Sequence, residues 1–325
     1  MAYKGSVIVT GGTVGLGYEA ALKIAKDRPD YLVVVASRSD KQHAADSINR
    51  ALGQSNVRFQ ALDLADPDNV RRFAMAWSSN TQNPPIKAVV LNAALQFPND
   101  LTLTPSGIEK TFAVTHLGHA QLFHLLAPSL APDARIVITA SGVHDPAQKS
   151  GMPDAVYTTA QEVAGGYPGA VKGRARYCNA KLCNVLWTYA LHRRLEAHNK
   201  QHPDASWTVT AMDPGLMPGT GLAREGTAIE RFLWFRVLPR VLPLLRLLMG
   251  MDNIHHPSVS GANLARLAVG EDVRGVSGKY FEGAKEIDSS KVSYDVAKQE
   301  DLWQWTVKFC AGEDEELLKR FEALQ

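Results

Sequence analysis

Within its first 140 residues the chain switches repeatedly between two textures, and this alternation limits its folds more than any other feature. Short runs rich in β-branched residues occupy 6–10, 32–36, 57–62, 88–92 and 135–140. Longer stretches with helical spacing lie between them, such as 18–26 and 43–52. Successive strand side chains point to opposite faces, so a strand apolar at every position is buried on both. Such strands alternating with helices predict a parallel sheet covered on both faces, a doubly wound α/β architecture. A further strand is expected at 207–212, and helices at 107–126 and 176–196 are expected to pack on the sheet. No linker, repeat or low-complexity segment divides the 325 residues, which read as one domain.

Bulk properties exclude several classes. At 45% hydrophobic and 21% charged, the chain can bury a core. A net charge of +2 without any lysine or arginine block argues against nucleic acid as a partner. The opening MAYKGSVIVTGG does not read as a secretory signal, and no apolar run reaches the ~18 residues of a spanning helix. Cys178, Cys183 and Cys310 form no CxxC pair. Reduced thiols, a cytoplasmic setting and no metal site are therefore expected.

The segment Thr10-Gly11-Gly12-Thr13-Val14-Gly15-Leu16-Gly17 follows the first strand and opens the first helix. Glycine lets the backbone turn tightly and approach a diphosphate, and the helix N-terminus offers free N–H groups. A dinucleotide is thus expected on Gly11, Thr13, Val14, Gly15, Leu16 and Gly17. The second strand ends in Ser37-Arg38, where a site for NAD would place an acidic residue. A guanidinium suits a 2′-phosphate, so NADP(H) is the expected cofactor. After the fourth strand, Asn92-Ala93-Ala94 leaves room for it.

Tyr177 and Lys181 are four residues apart in a segment of helical spacing, so they share one helix face. A phenol ordinarily loses its proton near pH ~10. A neighbouring ammonium and a cationic nicotinamide would favour the phenolate and lower that value. Ser141 closes the fifth strand at the carboxyl edge of the sheet, where its hydroxyl could polarise a carbonyl.

Taken in order, TGGTVGLG, LNAA, Ser141, YCNAK and Pro214-Gly215 resemble the short-chain dehydrogenase/reductase family over residues 5–220. FAVTHLGH, AKLCN, DPGLMPGTGLAR and the tail SSKVSYDVAKQEDLWQW are similar to its protochlorophyllide reductase and retinol dehydrogenase branches. The resemblance implies a Rossmann fold and hydride transfer from NADPH. It makes Tyr177 the proton donor, Lys181 its electrostatic partner and Ser141 an orienting hydroxyl. It adds Asp63 and Leu64 beside the adenine, and Pro214, Gly215, Met217 and Thr220 around the nicotinamide and diphosphate. One departure stands out: Thr115 replaces the family's asparagine, which supports a water relay to the lysine.

A hydrophobic small molecule is the expected substrate, reduced at a carbonyl or at a conjugated C=C bond. A cofactor-binding protein with non-redox or no turnover is the reading from another class. Two stretches break the regular pattern: a glycine- and proline-rich insertion at 142–174, and 221–257. The latter carries RFLWFRVLPRVLPLLRLLMG at 231–250, with Arg231, Arg236, Arg240 and Arg246 spread over half a helical wheel. It reads as a substrate lid, with Phe232, Trp234, Phe235, Leu238 and Leu242 as candidate contacts and Pro239 and Pro243 breaking any helix. Amphipathic helices covering the core, or a peripheral membrane contact, are the other readings. Residues 285–325 are expected to form a helical extension, and the chain to be a homodimer or a monomer.

Overall fold

The structure is a computed structural model describing residues 3–97, 100–167, 171–221, 226–250 and 252–323. Eight strands form one sheet: β1 (Gly5–Thr10), β2 (Tyr31–Ser37), β3 (Val57–Ala61), β4 (Ile86–Leu91), β5 (Leu130–Thr139), β6 (Thr208–Asp213), β7 (Lys279–Glu282) and β8 (Lys285–Ile287). Their order is β3-β2-β1-β4-β5-β6-β7-β8, parallel except for the β7–β8 pair. This is the doubly wound Rossmann architecture that the alternating texture predicts. β1 and most of β2 are buried throughout, as strands sandwiched between two helical layers must be.

One apolar layer holds Val7, Val9, Val33, Val35 and Val90 against helices Gly15–Asp27 and Pro257–Val269. The opposite layer holds Ile8, Val34, Val89 and Ile138 against helices Pro67–Ser79, Gly118–Leu126 and Gly173–Gln201. The last of these is buried without interruption from Arg176 to Leu191. Helices Val296–Ala311 and Glu315–Glu322 close this side, with Trp303, Cys310 and Phe321 buried.

Several boundaries differ from expectation. The helix expected at 107–126 starts at Lys110 and is interrupted by a π-helical turn, Ala113–Leu117, before Gly118–Leu126. The extension expected to be helical from 285 opens with the edge strand β8. With β7 it forms a hairpin whose strands of four and three residues are too short to show a period-two pattern. The 221–257 excursion is pinched at its base: Leu216 N donates to Asn253 O (2.9 Å) and His255 N to Leu216 O (3.0 Å). Pro257 already belongs to a core helix. Residues 222–225, at the head of the expected lid, lie outside the described residues.

Candidate active site

The sheet order reverses between β1 and β4, and a cleft of about 1000 Å³ opens over the carboxyl ends of the strands there. Gly11 has φ +66°, a turn that carries the chain away from β1. At Gly17 an added Cβ would lie 2.3 Å from the Gly11 carbonyl oxygen, so only glycine lets the helix pack on the loop. Helix Gly15–Asp27 has no side-chain cap and no acidic residue in its first turn. Its free N–H groups and positive dipole end therefore face the cleft unopposed.

A belt of hydrogen bonds ties the strand ends under this loop. Asn92 N and Ala93 N donate to Thr10 Oγ1 (2.8 and 3.1 Å), and Asn92 Nδ2 donates to Thr10 O (2.9 Å). Thr139 Oγ1 donates to Asn92 Oδ1 (3.4 Å). Lys181 Nζ and Asn184 Nδ2 both donate to Thr139 O, at 2.7 and 3.3 Å. β1, β4, β5 and the long helix are thereby locked in register at the cleft floor.

Tyr177 and Lys181 stand one helical turn apart, the ammonium nitrogen 5.6 Å from the phenol ring centre. Ser141, in extended backbone beyond β5, brings its hydroxyl to the phenol, and this hydrogen bond lowers the phenol's pKa. Burial dominates, however, and with the nearby Cys178 and Asp213 pushes the phenol well above its ordinary value. The lowering expected from the sequence is thus not supplied by the protein's own groups. Burial also brings Lys181 down to about 7, against an opposing pull from Asp213. An amine that is half-neutral near pH 7 can take up or release a proton there.

Two residues that sequence reasoning passed over anchor the site. Asp213, 5% exposed at the end of β6, accepts from Gly215 N (3.0 Å) and Asn253 Nδ2 (2.7 Å). Gly142 N also bonds this carboxylate, which therefore joins the loops after β5 and β6 to the base of the excursion. His144 Nδ1 bonds Ser141 O (2.7 Å) and its Nε2 accepts from Ser290 N (3.0 Å), fixing the Ser141 loop to the C-terminal extension. Asp213 directly precedes the Pro214-Gly215 pair, a signal available in the sequence; His144 carried none.

Every expected cofactor residue lines this cleft. Gly11, Thr13, Val14, Gly15, Leu16 and Gly17 form one wall, and Ser37, Arg38, Asp63 and Leu64 one end. Asn92, Ala93 and Ala94 lie at the floor, with Ser141, Tyr177, Lys181, Pro214, Gly215, Met217 and Thr220 toward the other end. Among the residues expected to take part in catalysis, Thr115 alone does not line it. It is fully buried in the π-helical turn, off the cleft lining, and its hydroxyl has no hydrogen-bond partner among the described residues. Of the five candidate lid contacts, Trp234 and Leu238 line the cleft, whereas Phe232, Phe235 and Leu242 do not. No described residue of 228–240 is buried, so this stretch is not a cover of the core.

These groups fit a dinucleotide. The uncapped helix end suits a diphosphate. Arg38 is exposed at the cleft's end and makes no hydrogen bond or ion pair with a described residue, which leaves its guanidinium available to an anion. The half-buried Asp63 uses one carboxylate oxygen on Ala65 N (3.0 Å).

A family model described as short chain dehydrogenase matches residues 5–162. A WW domain-containing oxidoreductase of Drosophila melanogaster is 28% identical over 92% of this chain and 66% of its own length. A chloroplastic protochlorophyllide reductase of Daucus carota is 30% identical over 71% of this chain and 60% of its own. The chain thus spans about two thirds or less of these two relatives. The short-chain dehydrogenase iccH of Talaromyces variabilis is 28% identical, over 99% of this chain and 100% of its own. Among solved structures, the angucycline C-6 ketoreductase LanV with bound NADP superposes with a TM-score of 0.60 at 18% identity, covering 87% of this chain and 95% of that one. The family match, the relatives and the cleft geometry agree in supporting an oxidoreductase of the short-chain dehydrogenase/reductase type.

Proposed function

We propose that this chain is an NADPH-dependent reductase acting on a carbonyl of a hydrophobic small molecule. The observation that carries this reading is the convergence of Ser141, Tyr177 and Lys181 at one end of a cleft whose other end presents Arg38. When bound, the cofactor supplies the hydride. Arg38 and Ser37 hold its 2′-phosphate, and the Gly15–Gly17 amides its diphosphate. Lys181 steadies the nicotinamide ribose while its amine remains bonded to Thr139 O. The Ser141 hydroxyl orients the substrate oxygen, and the Tyr177 phenol donates a proton to it. Residues 226–250 serve as a lid, with Leu233, Trp234 and Leu238 turned to the substrate and water excluded on closure.

Reduction of a conjugated C=C bond is the second reading, favoured by the 30% identity to a protochlorophyllide reductase. It uses the same Tyr177 proton. The test is NADPH consumption with a panel of ketones, aldehydes and enones, with the products identified. Alcohol products support carbonyl reduction, and saturated ketones from enones support the alternative. In both cases Tyr177→Phe should keep cofactor binding and abolish turnover. Tight NADPH binding with no turnover on any of the panel would favour a cofactor-binding protein without redox activity.

A further inference from the structure

Seven of the sixteen large apolar side chains exposed among the described residues fall between Ile229 and Leu248. Elsewhere such residues are scattered, as on any soluble surface. Here they recur at helical spacing. Ile229, Phe232 and Leu233 follow one another at i, i+3 and i+4, and Leu244, Leu247 and Leu248 repeat the interval on helix Leu242–Met249. Ile229, Leu247 and Leu248 are 74%, 79% and 74% exposed, values that would be costly for a stable aqueous face. Arg231, Arg236 and Arg240 are exposed among them. The one acidic residue of this stretch, Glu230, is already paired with Arg174 at 2.5 Å.

We propose that this face docks on the surface of an anionic lipid bilayer, with the apolar side chains inserted at the headgroup boundary and the arginines on lipid phosphates. A second copy of the chain fits less well. A symmetric self-contact would set the same arginines against each other with no free carboxylate of this stretch to receive them. A spanning mode is excluded for the described residues, because no helix is long and apolar enough to cross. The stretch is instead a run of short helical segments interrupted at Val241, with Pro239 and Pro243 each second in its segment; it is amphipathic and basic, which suits a shallow interfacial position. Its inner side chains, Trp234 and Leu238, line the cleft, and Leu233 lies at the edge between cleft and outer face. Docking therefore places the cleft mouth at the membrane, and an apolar substrate enters from the bilayer. Only this last step rests on the proposed lid and apolar substrate, and vesicle binding is measured with no substrate present.

The experiment is co-sedimentation of the full chain with vesicles of equimolar phosphatidylcholine and phosphatidylserine, and with phosphatidylcholine alone. Binding to the anionic vesicles is expected, falling in high salt. A combined Arg231→Gln, Arg236→Gln and Arg240→Gln variant should lose roughly fivefold in partitioning per arginine. Phe232→Ser with Leu247→Ser and Leu248→Ser should lose binding while keeping wild-type NADPH affinity, which checks that it folds. No binding of the wild type to anionic vesicles would overturn the proposal, as would binding that both variants retain. A dimer in sedimentation velocity that the serine variant dissociates would also overturn it, in favour of a self-contact.

Discussion

His119 Nε2 lies 2.8 Å from Thr10 Oγ1, while its Nδ1 lies 3.1 Å from the Thr115 carbonyl. A carbonyl only accepts, so Nδ1 carries the proton and Nε2 accepts from the Thr10 hydroxyl. That leaves the lone pairs of Thr10 Oγ1 for the amides of Asn92 and Ala93. Burial holds the imidazole neutral by bringing its pKa down to about 3. Thr10→Val keeps the shape and removes the acceptor of two amides. It should cost about 1–3 kcal/mol in denaturant unfolding and weaken cofactor binding, since the cleft floor loses its tie. Unchanged values of both would show that the belt does not hold the floor.

The same histidine changes the expectation for Thr115. Its carbonyl is occupied by His119, and its own hydroxyl is buried without a partner among the described residues. Thr115→Val is isosteric and removes a desolvated polar group, so stability should hold or rise and turnover should persist. Thr115→Asn, which reaches further and adds a buried amide with no partner in place among the described residues, should lose about 1–3 kcal/mol without gaining activity. A collapse of turnover in Thr115→Val would put that hydroxyl on the proton path after all.

Cofactor choice rests on Arg38, exposed at the end of the cleft. Arg38→Ala should remove a charge-assisted contact of roughly 1.5–3 kcal/mol with a 2′-phosphate and leave NADH affinity nearly unchanged. Calorimetric titration of both cofactors into both proteins measures this. Equal wild-type affinities would remove the basis for NADPH.

Fold and cleft were legible for different reasons. β1, β2 and β4 are apolar at successive positions because both sheet faces are covered, so their texture marks them in the sequence. Gly11 and Gly17 are dictated by backbone geometry alone, which makes the loop readable without its surroundings. Ser141 and Tyr177 are 36 positions apart and became a pair only through their order along a recognised pattern. The β7–β8 hairpin is an edge with few buried positions, and His144 acts through Ser290, 146 residues away, a contact that no local pattern encodes. Thr115 was misplaced because a sequence position on a helix does not reveal a π-helical turn.

Lys181 gives a pH prediction. Its folded pKa of about 7 lies below the 10.5 of an ordinary lysine, so between these values the unfolded chain binds the extra proton. Stability contributed at this position therefore rises with pH above 7, by at most about 1.4 kcal/mol per unit. The burial-raised thiols of Cys178, Cys183 and Cys310 act oppositely above pH 9, so the clean window is pH 7 to 9. Urea unfolding across it should show wild type gaining stability relative to Lys181→Met as pH rises. Parallel curves would mean that the buried amine does not titrate there.

Asp213 is the residue whose replacement should reach furthest. Its carboxylate receives donors from Gly142, Gly215 and Asn253, and its charge faces Lys181, Tyr177, Tyr280 and Glu282. Asp213→Asn turns one acceptor into a donor facing existing N–H groups, so the base of the 216–253 excursion should loosen. Limited proteolysis should then cut faster between 221 and 257. The lost charge also matters, because Asp213 favours the protonated form of Lys181. Without it the lysine pKa falls, and the limb of the kcat/KM profile set by that group should move to lower pH. A merely structural carboxylate would change the proteolysis and leave the limb in place. An unchanged limb together with unchanged proteolysis would deny Asp213 either part, and a shift that Asp213→Glu restores would locate the effect in its charge.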